Sequence, residues 1–349
     1  MKKLLAFVFL ISLMTRIWFA IGYWGNKPLT HDATEYLELA KNFNQTGKLE
    51  LPAKKTLMIE SYGRAPGYPI WLAFLLRISP TLSWIRIAEA LIALLNTYLF
   101  FLLARELFGL RAGIVAFVLS SFYVPFIVLA PVILTENLWM CCMLISYWLL
   151  MRKGTAIVSA TIINHIFSFI ILAIATLIRP GTVFLIPFYL LFVFRKRGFT
   201  ATIILVSLYF LMLLPWNLHL YRKEGHPIFI ASEGGITLWT GTHPQYSGDG
   251  DLSVNPGVQH DYRELLKKYS GLSSAERGQI YTALSYQNVV KNPARFVIVE
   301  IKKLIFWILP IGPSVTKMSI VHVVSSFVFY VPLLIFAIVG FRRLGPNVR

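Results

Sequence analysis

The chain has 349 residues, 56% of them hydrophobic and only 14% Asp, Glu, Lys or Arg, with a mean hydropathy of +0.65. A soluble domain carries about a quarter charged residues, so the composition excludes an ordinary soluble protein and points to a membrane. The formal charge of +17 does not imply nucleic acid, because the basic residues fall in short clusters between apolar runs, the pattern that sets membrane topology. The excess can also attract anionic headgroups or a lipid phosphate.

In chain order, Lys2-Lys3 precede an apolar run over 4–24. The run is long, carries Arg16 and has no small-x-small exit, so it reads as an uncleaved first span. A polar stretch over 25–83 follows. Within it, Thr30–Phe43 reads as a helix, with Asp32 and Glu35 spaced as a capping box. Ala33, Tyr36, Leu37, Ala40 and Phe43 form one stripe, which lets this helix lie on a membrane surface. Arg64 then precedes the rigid Pro66-Gly67 turn and the apolar run Tyr68–Ile78. That run is short of the roughly 20 residues a span needs, and reads as an interfacial helix.

Further runs at 84–104, 112–131, 134–151, 156–177, 181–194, 199–216 and 319–341 bring the expected spans to eight. Arg105 to Arg111, Arg152-Lys153 and Arg195-Lys196-Arg197 then fall on one side, with Lys2-Lys3 and Arg342-Arg343-Arg349. The positive-inside rule makes that side cytoplasmic and puts both termini there. Were Tyr68–Ile78 to cross, the Arg105–Arg111 cluster would face outward. Phe296–Ile311, interrupted by Glu300, Lys302 and Lys303, also reads as interfacial. The expected fold is therefore an all-α polytopic membrane protein, residues 1–349 forming one integral membrane domain. Two large outer loops, 25–83 and 217–318, are expected on the non-cytoplasmic face. Cys141 and Cys142 are adjacent and inside an apolar run, so neither a disulfide framework nor a zinc site is expected.

Chemistry belongs where polar residues concentrate, on that outer face. Asp32 stands at the start of its helix, where it is either a cap or a functional acid. Arg64 can grip a phosphate in a fork of N–H donors, or simply snorkel. Glu136, near the outer end of a span, is costly unless it has a purpose or pairs with Arg86 or Arg64. Arg179 faces outward, against the positive-inside rule. Asn96 and His165 read as interhelical hydrogen bonders, and Arg16 and Glu89 as a pair or as snorkelling residues. The stretch 232–244 is rich in glycine, aromatics and hydroxyls, a composition that suits a sugar. Asp249-Gly250-Asp251 lacks the downstream Glu of a calcium loop and reads as a turn, and Asn44-Gln45-Thr46 is a formal sequon. Residues 273–290 and 293–307 read as helices.

Taken together, D-A-T-E-Y-L-E-L-A-K-N (Asp32–Asn42), R-A-P-G-Y-P (Arg64–Pro69), T-E-N-L (Thr135–Leu138) and R-P (Arg179-Pro180) form an ordered set. It continues in P-W-N-L-H-L-Y-R-K-E-G (Pro215–Gly225), G-G-I-T-L-W-T-G (Gly234–Gly241) and N-P-A-R-F (Asn292–Phe296). The set resembles GT-C superfamily membrane glycosyltransferases, in particular the bacterial branch related to protein mannosyltransferases and the lipid A aminoarabinose transferase. The resemblance implies a GT-C-like bundle in the cytoplasmic (inner) membrane. It implies a polyprenyl-phosphate sugar donor and a lipid, glycan or protein hydroxyl as acceptor, with inverting transfer on the periplasmic or extracellular face. It maps Asp32 to the catalytic base and Glu136 to the second acid. Arg64, Arg179 and Arg222 are the expected phosphate holders. His31, Tyr36, Tyr68, Trp216, His219 and Trp239 are the expected substrate contacts, although relatives often carry Arg where this chain has His219. No cofactor is expected with certainty; a divalent metal held by Asp32 and Glu136 would have a thin ligand set. The competing classes are a transporter or flippase, a polymerase of lipid-linked saccharides, and a non-catalytic assembly subunit. Acids clustered at the outer rim rather than mid-membrane argue against the transporter.

Overall fold

The computed structural model describes residues 2–50, 63–152, 158–248, 255–308 and 320–343, and among them the regular structure is entirely helical. The chain divides into two compact units, Met1–Ser232 and Glu233–Arg349.

The first unit begins with α1 (Lys2–Trp18), extended by a π-helical turn Phe19–Tyr23. Then come α2 (His31–Thr46), α3 (Gly67–Ile78), α4 (Leu82–Phe108), α5 (Leu110–Phe122) and the short α6 (Val124–Val128). The remainder is α7 (Glu136–Met151), α8 (Val158–Ile178), a 3₁₀ segment Pro180–Leu185 and α9 (Ile186–Glu224). Among the described residues, four helical stretches are long and apolar enough to cross a membrane: Leu5–Tyr23, Leu82–Phe108, Thr161–Ile178 and Pro180–Glu224. The last is really two. Gly198 adopts φ +79°, ψ −173°, next to Arg195–Arg197, and breaks the helix into 186–197 and 199–224. Only glycine takes that φ without strain. With the 3₁₀ segment, 180–197 is about 30 Å long, one hydrocarbon thickness.

The expected run over 112–131 is not one helix. It stops at Phe122, turns at Tyr123 and resumes as α6. A break at membrane depth strands carbonyl groups that lipid cannot satisfy. Arg16, fully buried in α1, supplies the donors: Nη1 reaches Ser121 O at 3.2 Å and Nη2 reaches Ser120 O at 3.2 Å. It also donates to Ser12. Arg16 therefore neither snorkels nor pairs with Glu89, contrary to the sequence expectation; it caps a broken helix. Trp24 Nε1 does similar work at Val128 O, 2.6 Å away.

The core of this unit gathers Leu37, Tyr68, Leu72, Phe169, Leu172, Tyr189, Tyr209 and Leu213. Ala33, Tyr36, Leu37 and Ala40 of α2 are part of it. The apolar stripe of α2 is thus covered by protein, including α3, and not turned to a lipid surface. Phe184, Phe188 and Phe199 stay exposed, the outward apolar face that a hydrocarbon solvent favours.

The second unit comprises α10 (Glu233–Thr242), α11 (Pro256–Lys268), α12 (Ser274–Lys291), α13 (Pro293–Ile308) and α14 (Ile320–Arg343). α12 and α13 fall where the sequence predicts helices, and α12 opens on a full capping box, Ser273 with Glu276. α10 crosses α12 at Gly235, where a Cβ would lie 2.5 Å from the Gly278 carbonyl oxygen. Trp239, Tyr246, Val258, Tyr281 and Val299 form this unit's core. Asp249-Gly250-Asp251 lies outside the described residues.

Candidate active site

The site starts at the first turn of α2. Its N-cap is Thr30, whose Oγ1 accepts from Ala33 N at 3.2 Å. Asp32 is therefore not the cap, and the capping-box reading of Asp32 and Glu35 is replaced by a different use of both acids. Arg64 donates from Nη2 to Asp32 Oδ1 and from Nε to Glu35 Oε2, each at 2.7 Å. The other Glu35 oxygen lies 2.9 Å from His31 Nδ1. One guanidinium thus spans two carboxylates in the short, charge-assisted geometry. The two acids differ in exposure: the Glu35 side chain is 6% exposed, that of Asp32 48%. Glu35 serves the framework, while Asp32 keeps one side open to solvent. Arg64 also lies over the Tyr36 ring, 5.2 Å from its centroid, and Tyr36 meets Tyr68 edge-on at 5.0 Å. Arg64 is held by this layer and does not snorkel.

A second ion pair lies on the neighbouring turns. Arg179 Nη1 donates to Glu136 Oε1 at 2.9 Å and stacks over Trp139, whose indole N–H bonds Thr182 Oγ1 at 2.8 Å. The expected partners of Glu136, Arg86 or Arg64, are both used elsewhere. Arg86 closes the end of the first helix, donating to the carbonyls of Trp24, Gly25 and Lys27. The Glu136 and Arg179 side chains are 57% and 44% exposed, so their pairing adds little stability but leaves both reachable by a ligand. The two turns are tied at Gly67: a Cβ there would come 2.9 Å from the Leu177 carbonyl, two residues before Arg179. The R-A-P-G segment can seat against the end of α8 only with glycine at that point.

Between the pairs sits Glu89 of α4, fully buried. Tyr68 Oη donates to its Oε1 at 2.9 Å and Asn137 Nδ2 to its Oε2 at 3.3 Å. Asn96 bonds the Asn137 carbonyl at 3.0 Å, the interhelical role expected of it.

Residues 64–221 match the dolichyl-phosphate-mannose-protein mannosyltransferase family. The match supports a membrane glycosyltransferase of the GT-C type. It begins at Arg64 and takes in Glu89, Glu136 and Arg179, while Asp32 and Glu35 precede it. No curated protein and no solved structure matches the chain.

The remaining expected contacts divide. Trp216 stacks on His219 (centroids 5.3 Å, 24° between planes) and bonds Ile230 O at 2.8 Å through its indole N–H. Arg222 is exposed near the end of α9, and no hydrogen bond or ion pair among the described residues joins it to the arginine–carboxylate cluster. Two of the expected substrate contacts, Tyr68 and Trp239, are enclosed by protein. Tyr68 is fully buried under Tyr36. Trp239 is 4% exposed, inside the second unit's core, packed on His243, Tyr262 and Tyr281. Among the described residues, metal-ligand atoms of His31, Asp32 and Glu35 lie within 4.8 Å of one another. One oxygen of each acid already faces the Arg64 guanidinium, which supplies the positive charge there.

Glu35 and Glu89 are the members that sequence reasoning missed. The spacing of Asp32 and Glu35 was visible, but it pointed to a cap. Glu89 was visible as a carboxylate in a span, without its partners.

Proposed function

We propose that the chain transfers a sugar from a polyprenyl-phosphate donor to a hydroxyl acceptor, with inversion, at the outer face of the cytoplasmic membrane. The observation that carries this reading is the meeting of a half-exposed Asp32 with Arg64, beside a second exposed acid–arginine pair. Asp32 takes the acceptor's proton as the acceptor oxygen bonds to the anomeric carbon. The bond from that carbon to the phosphate oxygen breaks, and the lipid phosphate leaves with the electron pair. Its growing negative charge calls for fixed cations, a role for Arg64 and Arg179. Glu136 orients Arg179 or receives the acceptor.

The direction of the helices favours the outer face. Arg86 lies near the start of α4 and Arg105 near its end; Glu136 starts α7 and Arg152 follows it. Arg179 follows α8, and Arg195–Arg197 lie beyond the next crossing. The basic clusters and the site residues therefore occupy opposite helix ends, with the clusters on the cytoplasmic side by the positive-inside rule.

The test is reconstitution of the purified chain in liposomes with a panel of radiolabelled polyprenyl-phosphate hexoses and pentoses and membrane-extracted acceptors. Release of polyprenyl phosphate coupled to label on an acceptor is expected. Movement of an intact donor across the bilayer without release would favour a flippase and overturn the proposal.

A further inference from the structure

Glu89 carries an ionisable carboxyl group about 10 Å along α4, a helix long and apolar enough to span the bilayer. Ionisable groups at such depth are costly and rarely kept without a task. Its two oxygens are divided between two different segments. Oε1 holds the hydroxyl of Tyr68, four residues after Arg64 in the R-A-P-G-Y segment, and the Tyr68 ring supports Tyr36, over which Arg64 lies. Oε2 holds Asn137, the neighbour of Glu136 at the start of α7. Asn137 is fixed in turn by a bond from its Nδ2 to Ala130 O at 2.7 Å and by Asn96 on its carbonyl. One side chain of α4 therefore sets the spacing between the segment carrying Arg64 and the one carrying Glu136.

We propose that Glu89 is a positioning residue for transfer, registering the Asp32–Arg64 pair against the Glu136–Arg179 pair so that donor phosphate and acceptor meet in line. This rests on the glycosyltransferase reading above. A simple helix staple would be needed for folding alone. A positioning residue acts on turnover, because a small misplacement of reacting groups costs rate with little change in binding.

Three variants separate these roles: Glu89→Gln, Tyr68→Phe and the two combined, in the reconstituted transfer assay with whichever panel donor the wild-type protein uses. Tyr68→Phe keeps the carboxylate and the ring and removes a single hydroxyl, so it decides the matter even if Glu89→Gln folds poorly. The expected result for each single variant is a kcat lowered about 10- to 100-fold, with donor KM changed less than about twofold. The double variant should be no worse than the more impaired single, since both break one network. Wild-type kcat in folded Glu89→Gln or in Tyr68→Phe overturns the inference. So does a change confined to melting temperature, or strictly additive losses in the double variant. An Asp32→Asn control keeps the two readings apart. Full transfer in Asp32→Asn removes the base assignment whatever Glu89 does. Loss there, with normal turnover in Glu89→Gln, removes only this inference.

Discussion

Replacing Arg64 by alanine strands two acids unequally, and the imbalance sets the size of the effect. The bond to Asp32 is half exposed and contributes about 0.2–1 kcal/mol. The bond to Glu35 is buried, and removing one partner of a buried pair costs about 3–5 kcal/mol. His31 still faces the other Glu35 oxygen at 2.9 Å, which relieves part of that cost. Loss of the contact over Tyr36 adds about 0.5–1 kcal/mol. A net destabilisation of about 2–4 kcal/mol follows, a fall in melting temperature of about 4–16 °C for a unit of this size. Arg64→Ala combined with Glu35→Gln should recover most of that fall, because no buried charge remains unpaired. Transfer should not recover, since the phosphate holder is still missing. The assay pairs thermal unfolding of the purified protein with donor titration in liposomes. Equal melting of the single and double variants would refute the stranded-charge argument, and an unchanged donor KM in the double variant would refute the phosphate role.

Three other outcomes are expected. Thr30→Ala removes the cap of α2 and should cost about 1 kcal/mol, while Thr30→Ser restores it; thermal unfolding distinguishes them. Gly67→Ala forces a Cβ against the Leu177 carbonyl and should cost about 1–3 kcal/mol, with a drop in transfer because the Arg64 and Arg179 turns are pushed apart. In the second unit, burial holds His243 below its ordinary value of 6.5, against the opposing pull of Asp261. The folded unit thus favours the neutral ring, and the unfolded chain takes up the proton first as pH falls through that value. Stability is full above it and declines toward the lower folded value. Amide exchange in α10 and α12, corrected for intrinsic rates, should speed up between about pH 7.5 and 5.5, and His243→Gln should flatten the change. Unchanged protection in the wild-type protein would contradict the burial argument.

Leu5–Tyr23, Leu82–Phe108, Thr161–Ile178 and Pro180–Glu224 were legible as spans because each is a long apolar run, whereas the expected runs over 112–131 and 134–151 form shorter helices. The break at Tyr123 was not legible: Ser120 and Ser121 look like ordinary helix residues until Arg16, more than 100 positions away, is seen to donate to their carbonyls. Asp32, Arg64, Glu136 and Arg179 stand out in the sequence as candidates, with a cap or a snorkelling residue as equally open readings, and it is the resemblance that gathers them into one proposed site. Their pairing was not legible, since Arg64 lies 32 positions from Asp32 and Arg179 lies 43 from Glu136. Asp32 is the better cap on paper, and only the observed bond from Ala33 N to Thr30 Oγ1 gives the role to Thr30. The stretch around Trp239 misled for a physical reason. Glycines and aromatics suit a sugar site, but they also suit a close helix crossing, and here Gly235 meets Gly278 while Trp239 fills the core behind it.

The most direct test of the account is the turnover of Asp32→Asn in the liposome assay. Asparagine keeps the shape of the side chain and can still accept from Arg64, but it cannot take the acceptor's proton. The account predicts normal expression and melting, retained donor binding and a kcat lowered about 100- to 10,000-fold. Full activity of the folded variant would contradict it.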